Sequence, residues 1–135
     1  MKKDKYSYPC IITYDKNDGI YYAEFPDLED CFTDGESLEE ALYNAKDVLG
    51  LVLYAKEENN IEIEPPKNKP IFTKENQSVS YISVWMPLIR DEIENKSIKK
   101  TVTIPKWLND LAEDSNVNFS KILQTSLKEY LGVNR

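Results

Sequence analysis

Histidine is absent from the 135 residues. That one absence removes imidazole acid–base chemistry, Ser-His-Asp and Cys-His nucleophile pairs, and histidine-ligated metal sites together. Cysteine is scarce: Cys10 and Cys31 are too few and too isolated for a zinc site or a disulfide framework. They read as reduced thiols partly buried in strands. No apolar segment of the signal type follows Met1, and no long uncharged apolar run occurs. The expectation is a cytoplasmic chain that neither spans a membrane nor is secreted. Repeats and low-complexity segments are lacking too, and the length suits one ordinary domain, or one small domain plus a dimeric module.

What is present is charge, unevenly spread. The net charge is −7 overall. Residues 1–94 hold 10 Lys+Arg and 20 Asp+Glu, a net of −10, while residues 95–135 hold 7 and 4, a net of +3. An acidic body joined to a basic tail implies two partners of opposite charge. The tail suits nucleic acid. The body repels nucleic acid and attracts a basic protein.

The body alternates in strand fashion from Tyr6 to Tyr14, with Tyr8, Cys10, Ile12 and Tyr14 on one side. Asn17-Asp18-Gly19 is a hairpin turn, because Gly tolerates positive φ. Ile20 to Phe25 returns with Tyr21, Ala23 and Phe25 on one face, and Cys31-Phe32-Thr33 makes a short third strand. Ser37-Leu-Glu-Glu40 is a capping box that opens the longest helix. Its expected face is Leu38, Leu42, Ala45, Leu49 and Val52, widened by Ala41, Val48 and Leu53. Gly50 costs that helix about 1 kcal/mol relative to Ala, for which close packing on the sheet is one reason. Ile61 to Pro66 is an extended exit, residues 67–77 are loop, and Val79 to Met86 is a fourth strand ended by Pro87. Residues 88–98 form a charged connector of one or two helical turns. The expected fold is α+β, with element order ββ(β)αβ.

The tail reads as one basic strand and two amphipathic helices. Thr101, Val102, Thr103 and Ile104 are rich in β-branched residues and alternate polar with apolar. Pro105 suits a helix start, and Leu108, Leu111 and Ala112 follow at helical spacing. Asn118 is an N-cap for a second stripe of Ile122, Leu123, Leu127, Tyr130 and Leu131, and Gly132 is a stop. About 35 residues are too few to bury a sufficient core, and the strand has no partner within the segment. Two copies that pair strands antiparallel and pack helices together solve both problems.

That arrangement resembles the ribbon-helix-helix repressors over residues 99–131. The resemblance implies a homodimer, at the least, whose two-stranded ribbon enters the major groove of operator DNA. Lys99, Thr101 and Thr103 are the expected base-reading side chains, with Lys100 and Lys106 on phosphates. Asn118, Phe119 and Ser120 begin the second helix, whose N-terminus is suited to clamp a phosphate.

Tyr8-Pro9, Glu24-Phe-Pro-Asp-Leu28, the stretch from Cys31 to Gly35, Leu38-Glu-Glu-Ala-Leu42 and the Pro65-Pro66 exit resemble the N-terminal domain of HicB antitoxins. Val84-Trp-Met-Pro87 and Lys99-Lys-Thr-Val-Thr-Ile-Pro105 resemble the subgroup with a ribbon-helix-helix tail. The resemblance implies a partial RNase H-like fold over 1–87, a linker over 88–98 and a DNA-binding domain over 99–135. It also implies a HicA-type toxin partner that cleaves mRNA, whose catalytic histidine the body covers, and autorepression of the operon. The expected toxin-facing carboxylates are Glu24, Asp27, Glu29, Asp30 and Asp34, within a stretch from Glu24 to Asp47 that holds nine Asp/Glu and one Lys. Tyr14, Tyr21, Tyr22, Tyr43 and Tyr54 are divided between interface and core in a way the sequence leaves open.

A metal-dependent nuclease needs carboxylates that converge from central strands. Asp15, Asp18, Asp27, Glu29, Asp30 and Asp34 fall mostly in turns, and only Glu24 lies firmly on a strand. A solvated acidic surface is the better reading, so neither catalytic residue nor cofactor is expected. The alternative function is a stand-alone regulator whose N-terminal domain binds a small ligand or another protein.

Overall fold

The computed structural model describes residues 2–133 and divides them between two compact units that meet at Lys96 and Ser97. In the first unit, β1 (Lys5–Asp15), β2 (Ile20–Glu24) and β3 (Phe32–Gly35) precede the helix α1 (Leu38–Glu58), and β4 (Gln77–Trp85) and α2 (Met86–Glu94) follow it. The strands form one antiparallel sheet in the order β3-β2-β1-β4. The expected order ββ(β)αβ is therefore present, as a mixed α+β fold.

Local chemistry explains the elements. Gly19 takes φ +72° in the β1–β2 turn, and Asp15 and Asp18 carboxylates accept backbone N–H bonds from Asn17 and Ile20, both at 2.9 Å. The Ser37 hydroxyl accepts the Glu40 N–H at 3.0 Å, which supplies the forward half of the capping box. Gly35 lies directly beneath the first turn of α1, where an added Cβ would overlap the Ala41 backbone nitrogen. A side chain there would push the helix off the sheet.

The core lies between α1 and one sheet face. Tyr8, Cys10, Ile12, Ala23, Phe25 and Val84 come from the sheet side, and Ala45, Leu49 and Leu53 from the helix. The buried line on α1 runs Ala41, Ala45, Leu49, Leu53, while Leu38 is exposed. The expected face is otherwise borne out: Leu42, Val48 and Val52 pack against the same core, and only Leu38, in the first turn, stays exposed. Tyr8 is fully buried and its hydroxyl donates to the Glu64 carbonyl, so the chain that leaves α1 is tied down at Glu64 on the helix side of the sheet.

The stretch from 88 expected to be connector begins as α2. Pro87 lies in the first turn of that helix, where a missing N–H costs nothing. Gly50 faces α2, not the sheet: a Cβ there would sit 3.1 Å from Ile89 Cδ1. What is left as connector between α2 and the next helix starts after Asn95, whose left-handed backbone ends α2.

The second unit contains α3 (Lys106–Asp114) and α4 (Phe119–Leu131). Asn118 caps α4 by accepting the Lys121 N–H at 3.0 Å, and Gly132 ends it at φ +69°. Residues 99–105 form no ladder within the single chain. No described residue of this unit is buried.

Candidate partner-binding surfaces

The sheet has one covered and one open face. Period-two alternation places Ile11 and Thr13 of β1 opposite in sense to the buried Cys10 and Ile12. Register then builds two rows across all four strands on the open face. One runs Phe32, Glu24, Ile11, Val79; the other runs Asp34, Tyr22, Thr13, Gln77. Phe32 is 65% exposed and Tyr22 is 41% exposed. Tyr81 and Trp85 of β4 are exposed further along the same face.

Of the five carboxylates expected to face a partner, the rows gather two, Glu24 and Asp34. Glu29 and Asp30 are exposed in the β2–β3 turn, Asp30 with φ +55°. Asp27 is half-buried, and its carboxylate accepts the Lys67 N–H at 3.1 Å. Asp18 supports the open face from its edge: the Tyr22 hydroxyl donates to it at 2.6 Å. That bond lowers the Asp18 pKa and is the main reason the Tyr22 phenol is pushed up to about 12.

The structure also sorts the tyrosines. Tyr21 and Tyr54 are half-buried against the core, while Tyr14, Tyr22 and Tyr43 are exposed. Sequence reasoning missed Phe32, Tyr81 and Trp85 as surface aromatics. The signal was there: Tyr81 and Trp85 alternate with the core-facing Ile82 and Val84.

Both thiols are free and buried. Burial pushes Cys10 up to about 12 and Cys31 up to about 11. Among the described residues no group of three or more His, Cys, Asp or Glu is placed to hold a metal ion, and no helix is long and apolar enough to cross a membrane.

In the second unit Lys99, Lys100, Thr101 and Thr103 are all exposed, as are Phe119 and Ser120. Lys106 Nζ is bonded to Asp110 Oδ2 at 3.0 Å, and the Ser120 hydroxyl accepts from Gln124 Nε2 at 3.0 Å. Asn118 spends its side-chain oxygen on capping α4. Val102, Leu108, Leu111, Ile122, Leu127 and Leu131 are all exposed, an unusual number of large apolar side chains for so short a unit.

These features define a class: a two-unit α+β protein with an acidic sheet-and-helix body and a helical unit whose apolar faces are open. The family model described as the HicB-like antitoxin of bacterial toxin–antitoxin systems matches residues 8–125, and the chain belongs to that family. It is 29% identical over 94 residues, 68% of each chain, to an uncharacterized 14.9 kDa protein of the rep-hol intergenic region of Haemophilus phage HP1 (strain HP1c1). It is similar to a chain of a toxin–antitoxin complex from Streptococcus pneumoniae, at TM-score 0.54 and 28% identity over 93% of this chain and 99% of that one. It shares its fold with the Burkholderia pseudomallei antitoxin HicB, at TM-score 0.50 and 16% identity over 94% and 97% of the two chains.

Proposed function

We propose that this antitoxin, which is not itself an enzyme, neutralises a small, basic, mRNA-cleaving toxin of the HicA type. The body, read as a partial RNase H-like fold, covers the toxin's RNA-binding surface. The tails of two chains pair as a ribbon-helix-helix module that represses the operon.

One observation carries the reading: the two compact units differ in both charge and self-sufficiency. Unit 1 holds 11 Lys+Arg against 20 Asp+Glu, a net of −9, and unit 2 holds 6 against 4, a net of +2. Unit 1 has a closed core, whereas unit 2 buries none of its described residues. A core that is open in one chain closes when a second chain supplies the matching face. The same pairing gives residues 101–104 the strand partner they lack, and leaves Lys99, Thr101 and Thr103 on the ribbon face that meets base edges. The acidic unit suits a partner that binds RNA, because such a partner carries a basic surface. The 28% identical chain in a toxin–antitoxin complex supports a toxin as the partner.

The test is co-expression with the toxin of the same operon. A tagged full-length chain is expected to retain the toxin through purification in moderate salt, and the complex to shift operator DNA. Separate elution of two folded proteins would overturn the reading.

A further inference from the structure

The open face of the sheet is the largest feature of the body that the fold leaves unexplained. The helix α1 covers the opposite face, and Ile63 and Glu64 are held on that covered side by packing on the core and by the Tyr8–Glu64 bond. A solvated face of an antiparallel sheet is ordinarily polar. This one carries Phe32 at 65% exposure in the same row as Glu24, and Tyr22 beside Asp34 in the next.

We propose that the toxin docks on this face, along the two rows, through cationic side chains of its RNA-binding surface. The proposal rests on the function proposed above and deepens it by naming the surface. Charge complementarity selects the occupant. The two rows carry Glu24 and Asp34, with Asp18 bonded to Tyr22 at their edge, and no Lys or Arg falls between residues 17 and 45. Nucleic acid is repelled there, and a second copy of this chain would bring the same sign to the same place. A basic protein fits. The stem of an arginine or lysine lies over an aromatic ring, and its head group reaches a carboxylate one strand away.

The alternation on the face matches that requirement. Phe32 is paired with Glu24 and Tyr22 with Asp34 across β2 and β3, so each ring has a carboxylate as its neighbour. Tyr22 is already held by its 2.6 Å bond to Asp18, which lowers the ordering cost of binding. A consequence follows for the acidic residues. Glu24 and Asp34 contact the toxin, whereas Asp27, occupied by the Lys67 N–H, and the turn residues Glu29 and Asp30 act only through the long-range field.

The experiment is calorimetric titration of the full-length chain into the operon's purified toxin. Phe32→Ala with Tyr22→Ala is expected to weaken binding by about tenfold or more, as for anchors in an interface centre. Glu24→Lys with Asp34→Lys is expected to do the same. Glu29→Lys with Glu39→Lys adds equal charge off the rows and is expected to change affinity less than threefold. Thermal melts identify any variant that unfolds; Phe32→Ala alone, at an exposed site, keeps the test available.

Wild-type binding with both face variants within twofold of it would overturn the docking face and leave the proposed function standing. Failure of the wild-type chain to bind would overturn both. Face variants that alter the mass of the free chain, with toxin affinity intact, would assign the face to a second copy and overturn the proposal.

Discussion

Arg90 of α2 grips Glu57 of α1 by two parallel hydrogen bonds, Nε to Oε2 at 2.9 Å and Nη2 to Oε1 at 2.7 Å. The Glu57 side chain is 5% exposed and that of Arg90 16%. Arg90 also donates to Asp4 and to the Lys3 carbonyl, so it joins the chain's start, the end of α1, and α2. The carboxylate partners push its pKa further up, so it stays charged at any working pH. Removing one member strands a buried charge, which typically costs about 3 kcal/mol. Arg90→Ala is expected to lower the urea midpoint by a corresponding amount. Arg90→Lys, which cannot keep both bonds, is expected to fall between.

Gly50 reports the same helix pair by packing. Gly50→Ala gains about 1 kcal/mol of helix propensity but sets a Cβ 3.1 Å from Ile89 Cδ1, so a near-neutral change is expected. Gly50→Leu has no such room and is expected to destabilise by about 2 kcal/mol. Ile89→Ala in the Gly50→Leu background is expected to recover part of the loss. Chemical denaturation of the wild type, Gly50→Leu, Ile89→Ala and the double variant checks the cycle.

The buried thiols give a pH signature. The pKa values of Cys10 and Cys31 are raised from 9.0 to about 12 and about 11. Folding favours the protonated thiol, so this stabilisation is complete below pH 9 and is lost as pH climbs through 11 to 12. At pH 8 the native chain is expected to resist iodoacetamide, and to take up two labels per chain once unfolded. Rapid labelling of the native chain at pH 8 would contradict the burial.

Much of this was legible because it is local. Ser37 and Asn118 each have the right oxygen for a cap, Gly19 permits the positive φ its turn requires, and alternation separated Tyr8, Cys10 and Ile12 from their neighbours. The α2 helix was legible only in part: a turn or two was expected within 88–98, but neither its start at Met86 nor its packing. Pro87 ends a strand as readily as it opens a helix, and what decides is Ile89 against Gly50 and Arg90 against Glu57, contacts 30 or more residues apart in the chain. The open face escaped for a related reason. Alternation says which residues share a face, but not which face the helix covers, so Phe32 and Tyr81 carried no label.

The tail makes its own prediction. With the apolar faces of α3 and α4 open in one chain, the full-length protein is expected to be a dimer by light scattering, and a chain ending at Lys96 a folded monomer. Thr101→Ala or Thr103→Ala is expected to relax operator preference by about 1–3 kcal/mol per base contact. Lys100→Ala is expected to weaken all sequences alike and to flatten the salt slope by about one unit. A full-length monomer at micromolar concentration would contradict the ribbon.

The most direct test of the central claim is RNA cleavage by the operon's purified toxin, followed in the presence of the full-length chain and of residues 1–96. Both are expected to abolish cleavage near one body per toxin, and to associate more slowly as salt rises. The account is contradicted if a folded chain in tenfold excess leaves the cleavage rate unchanged, or if protection follows the tail and not the body.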